Sequence, residues 1–589
     1  MAYSNHPIVD TVKNTRLRPE MAATTPEHVC NVAQSPDQAE IRSLPPIFPM
    51  PALVIAAGAF AVVLPFFFLG NASGHDFEFH VLSWMEAVNQ WKQGVIYPRW
   101  AEFAHYAYGE ARFLFYPPAS WTLGAVLGAL LPWKMASGAY VFCALSASGS
   151  TMFLLARRFL SRNDAVFAAA LYAANPYYIV IIYWRSALAE LLAGCLLPLL
   201  LLVIVRDRTN AQQMVVPLSL VVAASWLTNA PSAVMVNYSL ALLILIVAFT
   251  RRQPKLLFHG GLAVLLGAAL AGFYLIPAIV EEKWVNIAEV LAPGLRPQDN
   301  FFFTLISDVE HNQFNLVVSL VGASEAVLFI VAAVVSRQWG KDRRAAWRAL
   351  TGWGAAATLL MTPITILFWQ HLPKLRFVQL PWRWLLCLNV AFVMLVSVAF
   401  RRWIARALIY FAMLAVLWIV WHKVQQPWWD NAADIQELHD FIEDGAGYEG
   451  VDEYVPTGVD ASDVNQRAPL VATVSGRAVK VAIQRWLAET KVFTTESVHP
   501  EELRLRLFNY PAWRAFVNGK AVVTFSQPHT GELLIPVHAG RNEIRVDFAQ
   551  TRDRMAGGLC SSVGIILLLL WKFRFERQQT AESVRETLS

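Results

Sequence analysis

The first 48 residues are polar, with scattered prolines and both signs of charge, and near Pro51 the chain changes character. Apolar runs then recur at about 20 residues, the length a helix needs to cross hydrocarbon. The first covers about 51–69, and later ones centre near residues 145, 173, 196, 220, 242, 268, 325, 358, 392, 413 and 564. Short basic loops punctuate them at 157–162, 206–208, 251–252, 341–344 and 401–406. Lysine- and arginine-rich loops stay on the cytoplasmic side. The loops at 70–134, 184–187, 229–232, 281–313, 371–384 and 423–555 are therefore expected outside. The apolar stretch 119–131 breaks this parity and is predicted to be a re-entrant or interfacial helix after Tyr116-Pro117-Pro118. About twelve crossings remain.

Between about 425 and 552 the pattern changes. An acidic, helix-like stretch at 430–444 gives way to strand-like alternation, as in Leu503, Leu505 and Leu507 separated by Arg504 and Arg506. Asn518-Gly519 between apolar runs signals a hairpin, and Gly540 precedes another alternating run at 543–548. The expected fold is a polytopic α-helical membrane protein of about 12 transmembrane helices with a small C-terminal external β-sandwich-like domain. Its parts are a disordered cytoplasmic tail (1–48), a transmembrane domain (49–424) with a long first external loop (70–134), an external mostly-β domain (425–555), a final span (556–572) and a second cytoplasmic tail (573–589).

Composition agrees. The chain is 56% hydrophobic and 15% charged, against roughly 25% charged in soluble domains. Its 22 Trp and 35 Phe suit interface belts and intramembrane packing. A net charge of +5 does not suggest a nucleic-acid partner. Five cysteines, none in the polar C-terminal region, exclude a disulfide scaffold there and offer no zinc-finger spacing. The N-terminal stretch lacks the basic-then-apolar layout of a cleavable signal. Gly445, Gly447 and Gly450 spell GxGxxG, but the stretch before them is acidic rather than a strand and no helix pattern follows, so the dinucleotide reading is rejected. No phosphate-binding loop of the Walker type is present.

The first external loop is long, aromatic and rich in His, Asp, Glu and Arg, and too apolar for disorder. Asp76 and Glu78 lie just beyond the first span, where a carboxylate walled by aromatics can act as a general base toward a hydroxyl. Asp76 could equally cap the helix that begins near Phe77. His75, Asp76, Glu78 and His80 could bind a divalent metal, which their spacing does not favour. Other external span ends also carry charge: Arg185 and Glu190; Tyr274, Glu281, Glu282 and Lys283; Lys374, Arg376, Trp382 and Arg383. Leu227-Thr228-Asn229-Ala230-Pro231 breaks the apolar pattern at another. Ionisable groups at membrane depth are costly and functional by default, with interfacial snorkelling the alternative.

These features resemble C-type glycosyltransferases, in which an acid follows the first span and a large external loop precedes many further spans. Several strings (GHDFEFH, YPRW followed by YG, FYPP, NPYY, RSALAE, FYLIPAIVEE and LPWRWL) more narrowly resemble a bacterial membrane family labelled 6-pyruvoyl-tetrahydropterin synthase-related. The three-histidine zinc site of a soluble pterin synthase is not found. FNYPAWRAFVNGK is similar to the β domain of lipoteichoic-acid glycosyltransferase-like proteins. The resemblance covers about 51–570 and implies that Asp76 is the catalytic carboxylate of the first loop, with Arg185 and Glu190 at the second external edge. Thr228-Asn229 stands where many members carry a His, so a His-dependent role at that edge is not implied.

The resulting expectation is transfer of a sugar from a polyprenyl-phosphate donor to a glycan or protein acceptor, at the periplasmic side of a bacterial inner membrane. Asp76 is the base, with Glu78 or Glu281 as backup, and Arg383, Arg376 or Arg99 holds the phosphate, whose oxygens match a guanidinium fork. Arg185, Glu190, His80, Tyr274 and Trp382 line the substrate, membrane lipid surrounds the site, and the product is inverted. No cofactor is required, and a divalent metal is optional. A transporter or flippase for a lipid-linked or acidic substrate would use the same charges, and a non-catalytic scaffold would display the β domain.

Overall fold

In the computed structural model, residues 49–206, 211–424 and 428–588 are described. The expected tail 1–48, Asp207 and Arg208 of one basic loop, and the start of the β region at Gln425 lie outside them.

Among the described residues, nine helices are long and apolar enough to cross a membrane, or eleven if two sharply bent pairs each count as one. A further apolar helix, Gln212–Thr228, is shorter. Every expected centre falls on a helix, but twelve full-length crossings are not reached by length and composition. Pro118–Leu130 has 13 residues, about 20 Å of helix, too short for the roughly 30 Å hydrocarbon layer. It packs beside Phe77–Lys92, where Gly124 lets the Trp84 ring lie against its backbone.

Both bent pairs have local causes. Lys255–Leu270 and Gly272–Trp284 meet at 78°. The hydroxyl of Ser561, from the last span, donates to Leu270 O at 3.0 Å and accepts from Phe273 N at 2.8 Å. The groups freed by the break are thus satisfied within the helix bundle. Arg344–Leu360 and Pro363–His371 meet at 91°, where Pro363 cannot donate to the helix.

The basic loops meet in two groups. Arg406 pairs with Asp164 at 2.7 Å, and Phe159 meets Trp339. Arg251 donates to Val205 O and Arg206 O. At the opposite end sits the β region. Helix Ala432–Glu443, closed by an Asn431 and Asp434 capping box, leads into two antiparallel sheets. One runs in the order Val471–Thr473, Glu501–Phe508, Glu532–Val537, Phe525–Ser526. The other runs Lys480–Leu487, Thr490–Ser497, Gly540–Phe548, Trp513–Val517, Lys520–Val522. Leu503, Leu505 and Leu507 are buried as alternation demands. Asn518 and Gly519 both have positive φ and join Val517 to its partner Lys520, the two-residue hairpin the sequence signals. The last helix extends over Arg552–Leu588, so the stretch expected to be a tail continues it.

The first loop and the β region share one core, although they are over 300 residues apart in sequence. Trp100 and Tyr108 pack among Phe508, Tyr510 and Trp513. The rejected glycine motif belongs to this seam. A side chain at Gly447 would strike Phe103 O and one at Gly450 would strike the His105 ring, so these glycines let 445–450 press onto the first loop.

Candidate functional site

The site is assembled where the chain leaves the first span. Asn71–Ala72 pairs with Trp429–Asp430 as a two-stranded ribbon, and the chain then lies against 184–186. His75 N and Asp76 N donate to Trp184 O and Arg185 O at 3.4 and 2.8 Å. Gly74 N donates to Ser186 Oγ at 2.9 Å. A Cβ on Gly74 would fall 2.2 Å from Trp184 O, so only glycine permits this approach. Arg185 is delivered by a π-helical turn, Ile181–Arg185, closed by Ser186 at φ 50. Such turns interrupt α-helices mostly at functional positions.

Asp76, Arg185, Glu190 and Arg383 form one connected cluster. Arg185 Nη2 lies 3.6 Å from Asp76 Oδ2, and Arg185 Nη1 lies 2.7 Å from Glu190 Oε2. Arg383 Nε reaches the same Glu190 oxygen at 3.1 Å, and its Nη1 donates to Val378 O and Gln379 Oε1 at 2.8 and 3.0 Å. Tyr177 OH donates to Glu190 Oε1 at 2.5 Å. The Arg185 guanidinium stacks 4.8 Å from the Trp382 ring, and Phe314 bridges Trp382, Trp184 and His75. Two acids balance two arginines, yet their exposure differs. The Asp76 side chain is 42% exposed and that of Glu190 2%. A buried carboxylate between two guanidiniums fixes geometry, whereas an open carboxylate can meet a substrate. Asp76 occupies the helix N-cap position but its side chain makes no capping hydrogen bond, so a cap does not account for it.

Several expected members lie elsewhere. His80 is buried; its Nδ1 bonds Tyr116 OH at 2.6 Å and its Nε2 accepts from Leu188 N at 3.2 Å. With both nitrogens engaged it braces the first loop, and among the described residues His75, Asp76, Glu78 and His80 do not gather as a ligand group. Among the described residues, the metal-like group found is His439, Asp440 and Glu443, along one helix. Glu78 points to a different, acidic neighbourhood, where partial burial and the carboxylates of Asp430, Glu449 and Glu437 raise its pKa. Glu281 is sealed between Arg554, at 2.8 Å from both oxygens, and Tyr510 OH at 2.6 Å. It fastens the β region to the last span and is not a spare base. Tyr274 OH donates to Phe115 O at 2.5 Å. Arg99 lies 3.6 Å from Glu489, away from the cluster, and Arg376 is exposed against Phe377. Trp382 is buried behind Arg185 and is a wall rather than a contact surface.

Tyr177 and Gln379 complete the cluster without a signal in the sequence. Both sit in strings noticed for other reasons, NPYY and KLRFVQLPWRWL, but neither carries charge, and nothing in its spacing points to Glu190 or Arg383.

Comparison with solved structures finds the Archaeoglobus fulgidus oligosaccharyltransferase. Its complex with zinc and sulfate is 14% identical, with a TM-score of 0.37 over 68% of this chain and 53% of that one. The same organism's AglB, in complex with an inhibitory peptide and a dolichol-phosphate, is 14% identical with a TM-score of 0.38 over 68% and 56%. The chain thus spans about half the length of the structures it matches. No curated protein matches the sequence. A family described as 6-pyruvoyl-tetrahydropterin synthase related domain, membrane protein, matches residues 113–426, more than half of the chain. That segment carries Arg185, Glu190 and Arg383 within its bundle, and the chain belongs to this family of membrane proteins.

Proposed function

We propose that this protein is a membrane glycosyltransferase that moves a sugar from a polyprenyl-phosphate donor to an acceptor hydroxyl at the membrane face carrying the β region. The observation that carries the reading is the half-open carboxylate of Asp76 joined through Arg185 and Glu190 to Arg383. A base and two cations share one site at the end of the spans.

An apolar slot of about 820 Å³ adds support. It lies between Pro49–Leu69 and Trp403–Val424, from Arg406 at one end to Trp421 at the other. Arg406 is held by Asp164, Phe400 O and Ser397 O. Trp421 meets Trp184, the neighbour of Arg185, at 5.8 Å. A polyprenyl tail in this slot has its phosphate beside Arg185 and Arg383. Asp76 takes the proton of the acceptor hydroxyl as its oxygen attacks the anomeric carbon. The carbon–oxygen bond to phosphate breaks, and the electron pair leaves with the lipid phosphate, stabilised by the guanidiniums. Attack opposite the leaving group inverts the anomeric centre. The periplasmic side of a bacterial inner membrane, the glycan or protein acceptor and the dispensability of a metal belong to this proposal.

The test is transfer from radiolabelled polyprenyl-phosphate sugars in proteoliposomes. Wild type should transfer sugar and Asp76→Asn should not, while remaining correctly inserted. Full activity in the variant, or none from wild type with any lipid-phosphate donor, overturns the reading.

A further inference from the structure

On the other side of the first span lies a second slot that the proposed reaction does not use. It has a volume of about 670 Å³ and separates Pro49–Leu69 from Trp133–Arg157. Its walls are largely apolar, with Phe60, Phe67, Gly138 and Phe142 among them, and Lys134 and Asp430 also line it. Phe60 and Phe67 are 48% and 56% exposed on a span that faces outward from the bundle, so the slot opens toward lipid.

Among the described residues, neither Lys134 nor Asp430 makes an ion pair, although both line the same opening. The Asp430 side chain has the Ser73 hydroxyl for company, and burial followed by Asp434 raises its pKa. Asp434 is the acid that acts on Asp430, and Asp430 in turn acts on Glu78. This rim repels a second anion and attracts a cation, while Lys134 offers a single anion site beside it. An apolar chain, a phosphate and a primary ammonium in sequence match the three parts of the opening.

We infer that this slot binds a zwitterionic phospholipid, phosphatidylethanolamine, with its phosphate at Lys134, its ammonium at Asp430 and an acyl chain between Phe60 and Phe142. The site has a structural reach. Asp430 pairs with Asn71 in the ribbon, and its side chain contacts Ser73, three residues before Asp76. A head group on Asp430 thus fastens the strand that delivers Asp76.

The full-length protein in mixed micelles of phosphatidylethanolamine and phosphatidylglycerol tests this by native mass spectrometry of the lipid retained. Wild type should keep phosphatidylethanolamine in preference. Asp430→Asn should reduce that preference about fivefold, the factor of roughly 1 kcal/mol carried by one charge near a membrane surface. Lys134→Gln should weaken retention of both lipids. Ala139→Trp, which fills the slot, should remove the retained lipid. Asp430→Asn is isosteric and keeps the test decisive if Ala139→Trp does not fold. Retention indifferent to head group, or unchanged in Asp430→Asn, means annular lipid only and overturns the inference. No sugar transfer is read, so the outcome is independent of the proposed reaction.

Discussion

Two acid–arginine clusters stand at the same end of the bundle, and they are built for different work. In one, Glu281 lies between Arg554 and Tyr510, with the Glu281 and Arg554 side chains 0% and 3% exposed. In the other, Glu190 is equally sealed between Arg185 and Arg383, but Asp76 stands at the open edge. The first joins the β region to the last span and has no free edge. The second has a rigid interior and one accessible carboxylate. Charge at a span end therefore does not by itself mark a reactive group; access does. Buried pairs lose heavily when one partner is removed, and exposed pairs hardly register in stability.

The sharpest way to break this contrast is to remove each acid in turn. Asp76→Asn should lower transfer by about 10²–10⁴-fold, the contribution of a positioned base. Its thermal unfolding should move little, because the Asp76 side chain is 42% exposed and Arg185 keeps Glu190 as its partner. A large stability loss without a specific loss of kcat would return Asp76 to a structural role. Arg554→Ala should do the reverse. It leaves Glu281 buried and uncompensated, so destabilisation of about 3–5 kcal/mol is expected, read as a lowered unfolding temperature and faster proteolysis of the β region.

A third test concerns the seam between the first loop and 445–456. Glu86 is buried there and accepts from Phe103 N, Glu102 N and Tyr448 OH. Burial above all, opposed by the Phe103 N–H, pushes its pKa up to about 7. A carboxyl raised on folding is stabilising below its unfolded value near 4.5, and that contribution is lost as pH rises through about 7. Unfolding temperature should therefore fall between pH 5 and 8, by the equivalent of at most about 3 kcal/mol. Glu86→Gln should flatten the slope; an unchanged slope assigns the pH dependence to other groups. The smallest effect is expected at Arg376. Arg376→Ala should change kcat/KM by no more than about twofold, as for an ordinary surface position. A larger fall would bring Arg376 back into phosphate binding.

The pairing of arginines with acids was the part least visible in the chain. Asp76, Arg185, Glu190 and Arg383 stand out in the sequence because each is an ionisable residue beside an apolar run. Glu281, Tyr274 and Arg99 stand out for the same reason, yet the fold uses them as fasteners or places them elsewhere. His80 looked like a ligand because of its neighbours in GHDFEFH, but Tyr116 and the Leu188 N–H take both its nitrogens. Tyr177 and Gln379 had no charge to draw notice and still complete the cluster.

Local patterns determined much of this protein. Apolar run length set the spans, period-two alternation set the strands, and Asn518-Gly519 set its hairpin, because each depends on residues that are neighbours in the chain. Only the tertiary structure decided which charged span ends share a site, which acid remains open, and that the first loop and the β region form one core. Those outcomes depend on packing between segments up to several hundred residues apart, where side-chain contact and water access, rather than residue type, fix what a carboxylate can do.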